Sequence, residues 1–259
     1  MTARDALREA ERRLAAAGLD TPRVDAELLV AHALGVSRAG LYADLDAPVA
    51  GLDSLLARRE AREPLAYVLG EWGFRRLTLM TDARALVPRP ETEIVVERAL
   101  ALIADSDAPR VLDVGVGSGA IALSLKDERP DARVTAVDVS TDALALAREN
   151  AARLGLDIEL REEGVDAAAE GWELVVSNPP YVETLEGLEP ELDYEPERAL
   201  IGSGFHARIA RTARTRFLVL EVGDGQAAEV ARTLEAAGYR DVRITADLAG
   251  RDRVVEGAR

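Results

Sequence analysis

The sequence predicts an α/β protein, a doubly wound domain preceded by a small helical bundle. Three observations carry this. From residue 110 onward, short apolar runs rich in β-branched residues alternate with helical patterns, as in βαβ units. A glycine run, Gly115-Val116-Gly117-Ser118-Gly119, stands between the first such strand and its helix. Residues 2–62, by contrast, read as helical throughout, with little loop between the segments.

The helical segment opens with Ala6, Leu7, Ala10, Leu14 and Ala17 at helical spacing, and Gly18 stops that run. Thr21-Pro22 starts the next helix, with Pro22 near its first position. It carries Val24, Leu28, Leu29 and Ala31 to Gly35. A short piece follows Ser37, and a helix from Leu52 to Ala61 ends before Pro64. His32, among Val30, Ala31, Ala33 and Leu34, reads as structural. Residues 64–90 change character. Tyr67-Val68-Leu69, Trp72-Gly73-Phe74, and Leu77, Leu79 and Met80, punctuated by Gly70 and Gly73, suggest a hairpin linker. Leu86-Val87-Pro88-Arg89-Pro90-Glu91-Thr92-Glu93 follows as a loop fixed between prolines, and Thr92 and Glu93 open a helix running to Ala104.

Residues 110–114 form a buried strand that contains Asp113, and the helix Ala120–Leu125 follows the glycines. The glycines permit a tight turn and close approach of a ligand to the backbone. Their spacing is G-x-G-x-G, without the Lys-Ser/Thr of a P-loop. Asp113 would repel a pyrophosphate but suits a cation such as a sulfonium carrying an ammonium group. The strand Arg133–Asp138 ends on an acid about twenty residues past the glycines, a place suited to ribose hydroxyls. A helix cap is the plain alternative for Asp138, but Ser140 and Thr141 can serve there. A helix over 142–154 and a weaker strand over 157–160 follow.

Glu173-Leu174-Val175-Val176 then reads as a buried strand, ended by Ser177-Asn178-Pro179-Pro180-Tyr181. Neither proline can donate a ladder hydrogen bond. The Asn178 side chain, the Pro179 carbonyl and the Tyr181 ring are thereby held at a strand's carboxyl end, where open α/β sheets bind ligands. An amide beside a carbonyl with no N–H suits a planar amino or amide group, with the ring against its face. A simple proline turn is the bland alternative. The stretch to Leu200 is acidic and proline-containing, a loop or lid. A helix over 205–213, a strand over 217–223, a helix over 226–237 and short strands over 242–246 and 253–256 complete the chain.

Composition bounds the function. The 259 residues are 48% hydrophobic with few aromatics, enough for a sizeable aliphatic core. With no cysteine, disulfides, thiolate metal sites and a cysteine nucleophile are excluded. His32 and His206 are the only histidines, so a multi-histidine metal site is excluded and no metal is expected. Met1-Thr2-Ala3-Arg4-Asp5 leads into a charged helix, not an apolar signal core. No apolar run approaches the roughly 20 residues that span a bilayer, so a soluble cytoplasmic protein is expected. A net charge of −15 disfavours free nucleic acid as the main partner and is compatible with a basic protein.

The glycine turn with Asp113, the acid Asp138, and Ser-Asn-Pro-Pro-Tyr after the fourth strand resemble an S-adenosylmethionine-dependent methyltransferase that modifies a planar nitrogen. DNA adenine-N6 and protein glutamine-N5 enzymes share this set. Pro64-Leu65-Ala66-Tyr67, Gly70-Glu71-Trp72-Gly73-Phe74, Val87-Pro88-Arg89-Pro90-Glu91-Thr92-Glu93, Tyr194-Glu195-Pro196 and Asp247-Leu248-Ala249-Gly250-Arg251-Asp252-Arg253 look like the second group. Over nearly its whole length the chain resembles the bacterial release-factor glutamine methyltransferases, the PrmC/HemK family. The resemblance implies an N-terminal helical substrate-docking domain (1–63), a β-hairpin linker (64–90) and a Rossmann-like, seven-stranded class I methyltransferase domain (91–259). It implies methyl transfer from S-adenosyl-L-methionine to N5 of the glutamine in the Gly-Gly-Gln loop of peptide-chain release factors. A monomer without direct nucleic-acid contact is expected.

Carried over by position, Asp113, Gly115, Val116, Gly117, Ser118, Gly119, Asp138, Glu163 and Asn178 bind the cofactor. Asn178, Pro179, Pro180 and Tyr181 receive the glutamine, with Asn178 and Pro179 as the catalytic pair. Glu91, Thr92 and Glu93 fall in the family's substrate-side loop without an assigned step. There are two departures. Glu162-Glu163 stands where the family often has an acid followed by an aromatic near the adenine. The segment between Tyr194 and Glu221 is short, with Arg214-Thr215-Arg216 in place of a Gly-Gly turn, which implies a trimmed helix. The alternatives are a glutamine methyltransferase for a ribosomal protein, a DNA adenine methyltransferase, and a non-catalytic adaptor that kept the fold. The acidity and the lack of a basic recognition region weigh against DNA, and the intact motif set weighs against the adaptor.

Overall fold

A computed structural model describes residues 1–182, 184 and 186–259. The chain divides into two compact units, Met1–Glu71 with Leu188–Tyr194, and Trp72–Gly187 with Glu195–Arg259.

The first unit is helical. Its helices are α1 (Ala3–Ala16), α2 (Pro22–Leu34), α3 (Leu52–Glu60) and α4 (Leu65–Leu69). The Thr2 hydroxyl accepts from Asp5 N and caps α1, and Gly35, at φ +68°, ends α2. Ala6, Leu7, Ala10 and Leu14 pack with Leu29, Val30, Leu41 and Leu56 in one apolar cluster. Tyr67–Leu69, read from the sequence as part of a hairpin, is helical instead. Leu65, Val68 and Leu69 share one helical face, and Val68 is buried in that same cluster. Arg59 donates to Asp25 at 2.7 Å and to Glu191 at 2.9 Å, and Arg62 donates to Glu191 at 2.8 Å. Glu191 lies in a 3₁₀ turn over Pro190–Tyr194, inside the stretch expected to be a loop or lid.

The hairpin β1 (Glu71–Phe74) and β2 (Leu77–Met80) follows, and all of it from Trp72 onward belongs to the second unit. After α5 (Thr92–Leu102), strands and helices alternate: β3 (Arg110–Val114), α6 (Ala120–Glu128), β4 (Arg133–Asp138), α7 (Thr141–Leu154), β5 (Glu159–Glu162) and β6 (Trp172–Ser177). Then come α8 (Glu197–Leu200), α9 (Phe205–Thr212), β7 (Thr215–Glu221), α10 (Ala227–Ala236), β8 (Arg240–Ala246) and β9 (Asp252–Ala258). The sheet has seven strands in the order β5-β4-β3-β6-β7-β9-β8, as expected for a Rossmann-like methyltransferase domain. β3 pairs in parallel with both β4 and β6, and β9 runs antiparallel between β7 and β8. The chain leaves β3 towards β4 and β5, then returns to the other side of β3 with β6. The β3/β6 boundary is therefore the topological switch point.

Strand alternation divides the core between the two sheet faces. Val111, Val134, Leu174 and Val219 pack with Val95, Val96 and Leu125 on one side. Leu112, Val137, Val175 and Leu218 pack with Ile209, Val230 and Leu234 on the other. β5 lies two residues later than expected and pairs with Thr135–Asp138. The acidic piece before β6, read as irregular, holds a 3₁₀ turn over Val165–Glu170 that buries Val165, Ala167 and Ala168. Between Tyr194 and β7 the chain carries the four-residue α8 and the eight-residue α9. Among the described residues no helix is long and apolar enough to cross a membrane.

One buried polar side chain joins the hairpin to the sheet. Asn150 on α7 is 0% exposed. Its Oδ1 accepts from Met80 N at 2.7 Å, and its Nδ2 donates to the carbonyls of Met80 at 3.1 Å and Ser118 at 2.9 Å. Replacing it with Leu strands three backbone groups, each costing about 1–3 kcal/mol when buried without a partner. Asn150→Leu is expected to lower stability in urea unfolding by about 3 kcal/mol or more. A loss below about 0.5 kcal/mol would show that these groups are satisfied otherwise.

Candidate active site

Parallel pairing sets the carboxyl ends of β3 and β6 side by side, and the Ser177 hydroxyl donates to the Val114 carbonyl at 2.6 Å. Beyond β3 the chain turns on Gly115 (φ +84°) and Gly117 (φ +53°), conformations that favour glycine. Gly115 N and Val116 N donate to the Val137 carbonyl at 2.8 and 3.0 Å, so β4 holds the turn. A Cβ built on Gly115 would meet no protein atom within 4 Å.

A cavity of about 440 Å³ opens at this edge. Gly115, Val116, Gly117, Ser118, Asp138, Glu163, Asn178, Pro179 and Pro180 all line it, so residues singled out along the sequence meet in one place. The Asp138 carboxylate accepts from Gly117 N at 3.1 Å and from Ser140 N at 2.9 Å. Each oxygen keeps a further lone pair. The Ser140 hydroxyl caps α7, which leaves Asp138 free of that duty. At the far end, Glu162 pairs with Asp138 across β4 and β5, and Glu163 lines the cavity. Where the family pattern has an aromatic, the apolar surface here is aliphatic. Val139, 66% exposed, and Val165 line that end.

Asp113, Gly119 and Tyr181 are not among the lining residues. Asp113 is 1% exposed beneath the turn, and its Oδ2 accepts from Ala122 N at 3.2 Å. Burial, aided by the charge of Asp138, pushes its carboxyl up to about 8. The sequence expectation of a charge set against a bound cation thus meets a carboxyl that burial shifts towards its neutral form. Gly119 has a packing duty: a Cβ there would lie 2.8 Å from Leu123 Cδ1. The Tyr181 ring stacks with His206 at 6.4 Å, and its hydroxyl donates to Glu221 Oε1 at 3.3 Å. A Cβ on Gly223 would come within 2.9 Å of that ring.

Sequence reasoning missed the residues that hold these groups. Asn178 Nδ2 donates to Thr92 Oγ1 at 3.2 Å, and Thr92 Oγ1 donates to Glu221 Oε2 at 2.6 Å. Glu221, at the end of β7, is 1% exposed, and burial pushes its carboxyl up to about 7 against the hydrogen bonds from Thr92 and Tyr181. Buried Glu195 accepts from Val87 N at 2.9 Å and from Arg89, which fixes the loop over 84–89 that forms another wall. The signal for these residues lay in the stretches around Thr92 and Glu195, which carried a family likeness but no chemical step.

The site fits S-adenosylmethionine on its own geometry. The volume falls in the range of cofactor pockets, about 300–1,000 Å³. The Gly115 cradle leaves space that a side chain would fill. Asp138 offers lone pairs to a pair of hydroxyls, and Val139 with Val165 offers an apolar surface. The raised proton affinity of Asp113 has a sign that can be checked. A buried acid that holds its proton in the folded state stabilises the fold at low pH, and this is lost as pH rises towards about 8. Relative to Asp113→Asn, the wild-type melting temperature is expected to fall between about pH 4 and 8 and to level off above that. A constant difference across that range would show the group to be ionised throughout.

Known families match both parts of the chain. The family model described as the PrmC N-terminal domain matches residues 5–70, and that of the methyltransferase small domain matches residues 94–191. The release factor glutamine methyltransferase of Deinococcus radiodurans is 42% identical, with 100% of this chain and 99% of that protein covered. The protein of that name from Cereibacter sphaeroides is 43% identical over 98% of each chain, and that from Caulobacter vibrioides 38% identical over 96% and 94%. Among solved structures, the hMettl16 catalytic domain in complex with MAT2A 3'UTR hairpin 1 superposes with a TM-score of 0.59 at 17% identity. It covers 79% of this chain and 80% of that one, a likeness of fold alone.

Proposed function

The chain belongs to the release factor glutamine methyltransferase family, and on that footing we propose that it methylates N5 of the glutamine in the Gly-Gly-Gln loop of peptide-chain release factors, with S-adenosylmethionine as methyl donor. The observation that carries this reading is the state of Asn178. Its Nδ2 is committed to Thr92, and among the described residues nothing donates to its Oδ1 or to the adjacent Pro179 carbonyl. Both residues line the cavity that holds the glycine turn and Asp138. Two free acceptors side by side match the two N–H groups of a primary amide.

An amide nitrogen is a poor nucleophile because its lone pair is delocalised into the carbonyl. When bound, S-adenosylmethionine supplies a methyl group on a positively charged sulfur, activated for direct transfer. The Gly115–Ser118 turn, Asp138 and the Val139–Glu163–Val165 end would hold it. Asn178 Oδ1 and the Pro179 carbonyl accept the two amide N–H groups. They fix the plane of the amide and the direction of its lone pair, an alignment worth several kcal/mol. The same acceptors stabilise positive charge as it develops on nitrogen. Pro180 keeps the segment stiff, and Tyr181, which does not line the cavity, donates to Glu221 behind it. The extra proton is assigned to solvent.

We further propose that the helical unit docks the release factor, and that the protein works as a cytoplasmic monomer without direct nucleic-acid contact. The net charge of −15 supports a basic protein partner over a polyanion. Incubation with labelled S-adenosylmethionine and an unmodified release factor is expected to label that factor and not its Gln→Ala variant in the Gly-Gly-Gln loop. Label in neither, or in a ribosomal protein alone, would overturn the assignment. Asn178→Ala is expected to lower turnover by about 100-fold or more while cofactor affinity stays near wild type. Asp138→Ala is expected to weaken cofactor binding by about tenfold or more in calorimetry. Equal losses of cofactor affinity and rate in Asn178→Ala would move Asn178 to the cofactor side.

A further inference from the structure

We propose that Thr92 and Glu221 are positioning residues that set which way the Asn178 amide faces, so that it meets the substrate amide as an acceptor and not as a donor. The inference rests on the glutamine methyltransferase reading of the site and deepens it. A threonine hydroxyl has one proton. At 2.6 Å from Glu221 Oε2, that proton is given to the carboxylate. Thr92 Oγ1 can then only accept from Asn178, which lies 3.2 Å away, and this commits Nδ2 inward and leaves Oδ1 for the substrate. With the amide turned over, two oxygens would face each other with no proton between them.

The arrangement depends on the charge of Glu221. As a carboxylate it accepts from both Thr92 and Tyr181, one at each oxygen. Protonated at Oε2, it donates to Thr92 Oγ1 and releases the threonine proton towards Asn178. The amide then turns and presents Nδ2 to the cavity, so that N–H groups face the N–H groups of the substrate. The groups that face Glu221 are Glu91 before α5, Tyr181 after β6 and Arg253 on β9, and His206 on α9 lies 2.8 Å from its backbone carbonyl. Glu91 favours the protonated form and Arg253 opposes it, with burial pushing the group up to about 7. The rate is therefore present above that value and lost as pH falls through it. A carboxylate kept 1% exposed at this place has a use that an apolar side chain could not supply.

The test measures kcat and KM on an unmodified release factor, at saturating S-adenosylmethionine, between about pH 6 and 8.5. Thr92→Val keeps the shape and removes the hydroxyl. It is expected to lose about tenfold or more in kcat, with KM and cofactor affinity within about twofold of wild type. Thr92→Ser is expected to restore kcat to within about threefold. Wild-type kcat is expected to fall on the acid side, and Glu221→Gln and Thr92→Val to lose that limb. An active wild type whose Thr92→Val variant keeps its kcat would overturn the relay alone. So would an acid limb that persists in Glu221→Gln, since it would then belong to another group such as Asp113. Should Thr92→Val fail to fold, Thr92→Ser and the pH profile of Glu221→Gln decide. A wild type that transfers no label at any pH would overturn the functional reading, and the relay with it.

Discussion

The parallel pairing of β3 with β6 is the constraint on which the site depends. β3 ends in the glycine turn and β6 ends in Asn178-Pro179-Pro180, so whatever holds these strands in register also holds cofactor and substrate groups at a fixed spacing. Val111, Leu112 and Asp113 face Leu174, Val175 and Val176 in that register, and the Ser177 hydroxyl locks the last step onto the Val114 carbonyl. Both strands bury apolar side chains on both sides, Val111 and Leu174 on one and Leu112 and Val175 on the other, as buried parallel strands do. A slip of one residue would turn every side chain to the opposite face and separate the turn from the amide.

Around this pair the site is built mainly from backbone conformation and buried polar contacts. Positive φ at Gly115 and Gly117 shapes the cradle, and the Val137 carbonyl of β4 binds it from behind. Asn150 ties the same turn to the β1–β2 hairpin, and Glu195 ties the loop over 84–89 to the segment before α8. Each of these hydrogen bonds has a backbone group as donor or acceptor. Their worth comes from being buried and fully partnered, where a lost hydrogen bond costs more than in water.

What was legible in the sequence was what local order determines. The glycine turn, Asp138 and the Asn-Pro-Pro stretch each end a strand, and the doubly wound pattern places strand ends of that kind on one edge. Their meeting around one cavity follows from topology. What stayed hidden was contact between residues far apart in sequence. Thr92 reaches Glu221 across 129 positions, Asn150 reaches Met80 across 70 and Val87 reaches Glu195 across 108. No periodicity announces such pairs. The state of the Asp113 carboxyl stayed hidden for a related reason: residue type names an acid, whereas depth pushes its carboxyl up to about 8. The helix α4 was lost to a hairpin because Gly70 and Gly73 read as turn signals, while the pull of Val68 into the helical cluster acts in three dimensions.

The place of β9 has a consequence for how the chain acquires its activity. β9 lies between β7 and β8 and pairs antiparallel with β7, with Val254 opposite Glu221. Until β9 is in place the β7 edge that it covers has no partner, and the carboxylate at its end would be less enclosed. Arg253, which also faces that carboxylate, arrives on the same strand. The glycine cradle and Asn178 can assemble from residues already in place, so a partly folded chain could hold the cofactor before its amide is held in one orientation. Insertion of β9 would then complete the strand pairing beside that carboxylate, with Val254 set opposite it.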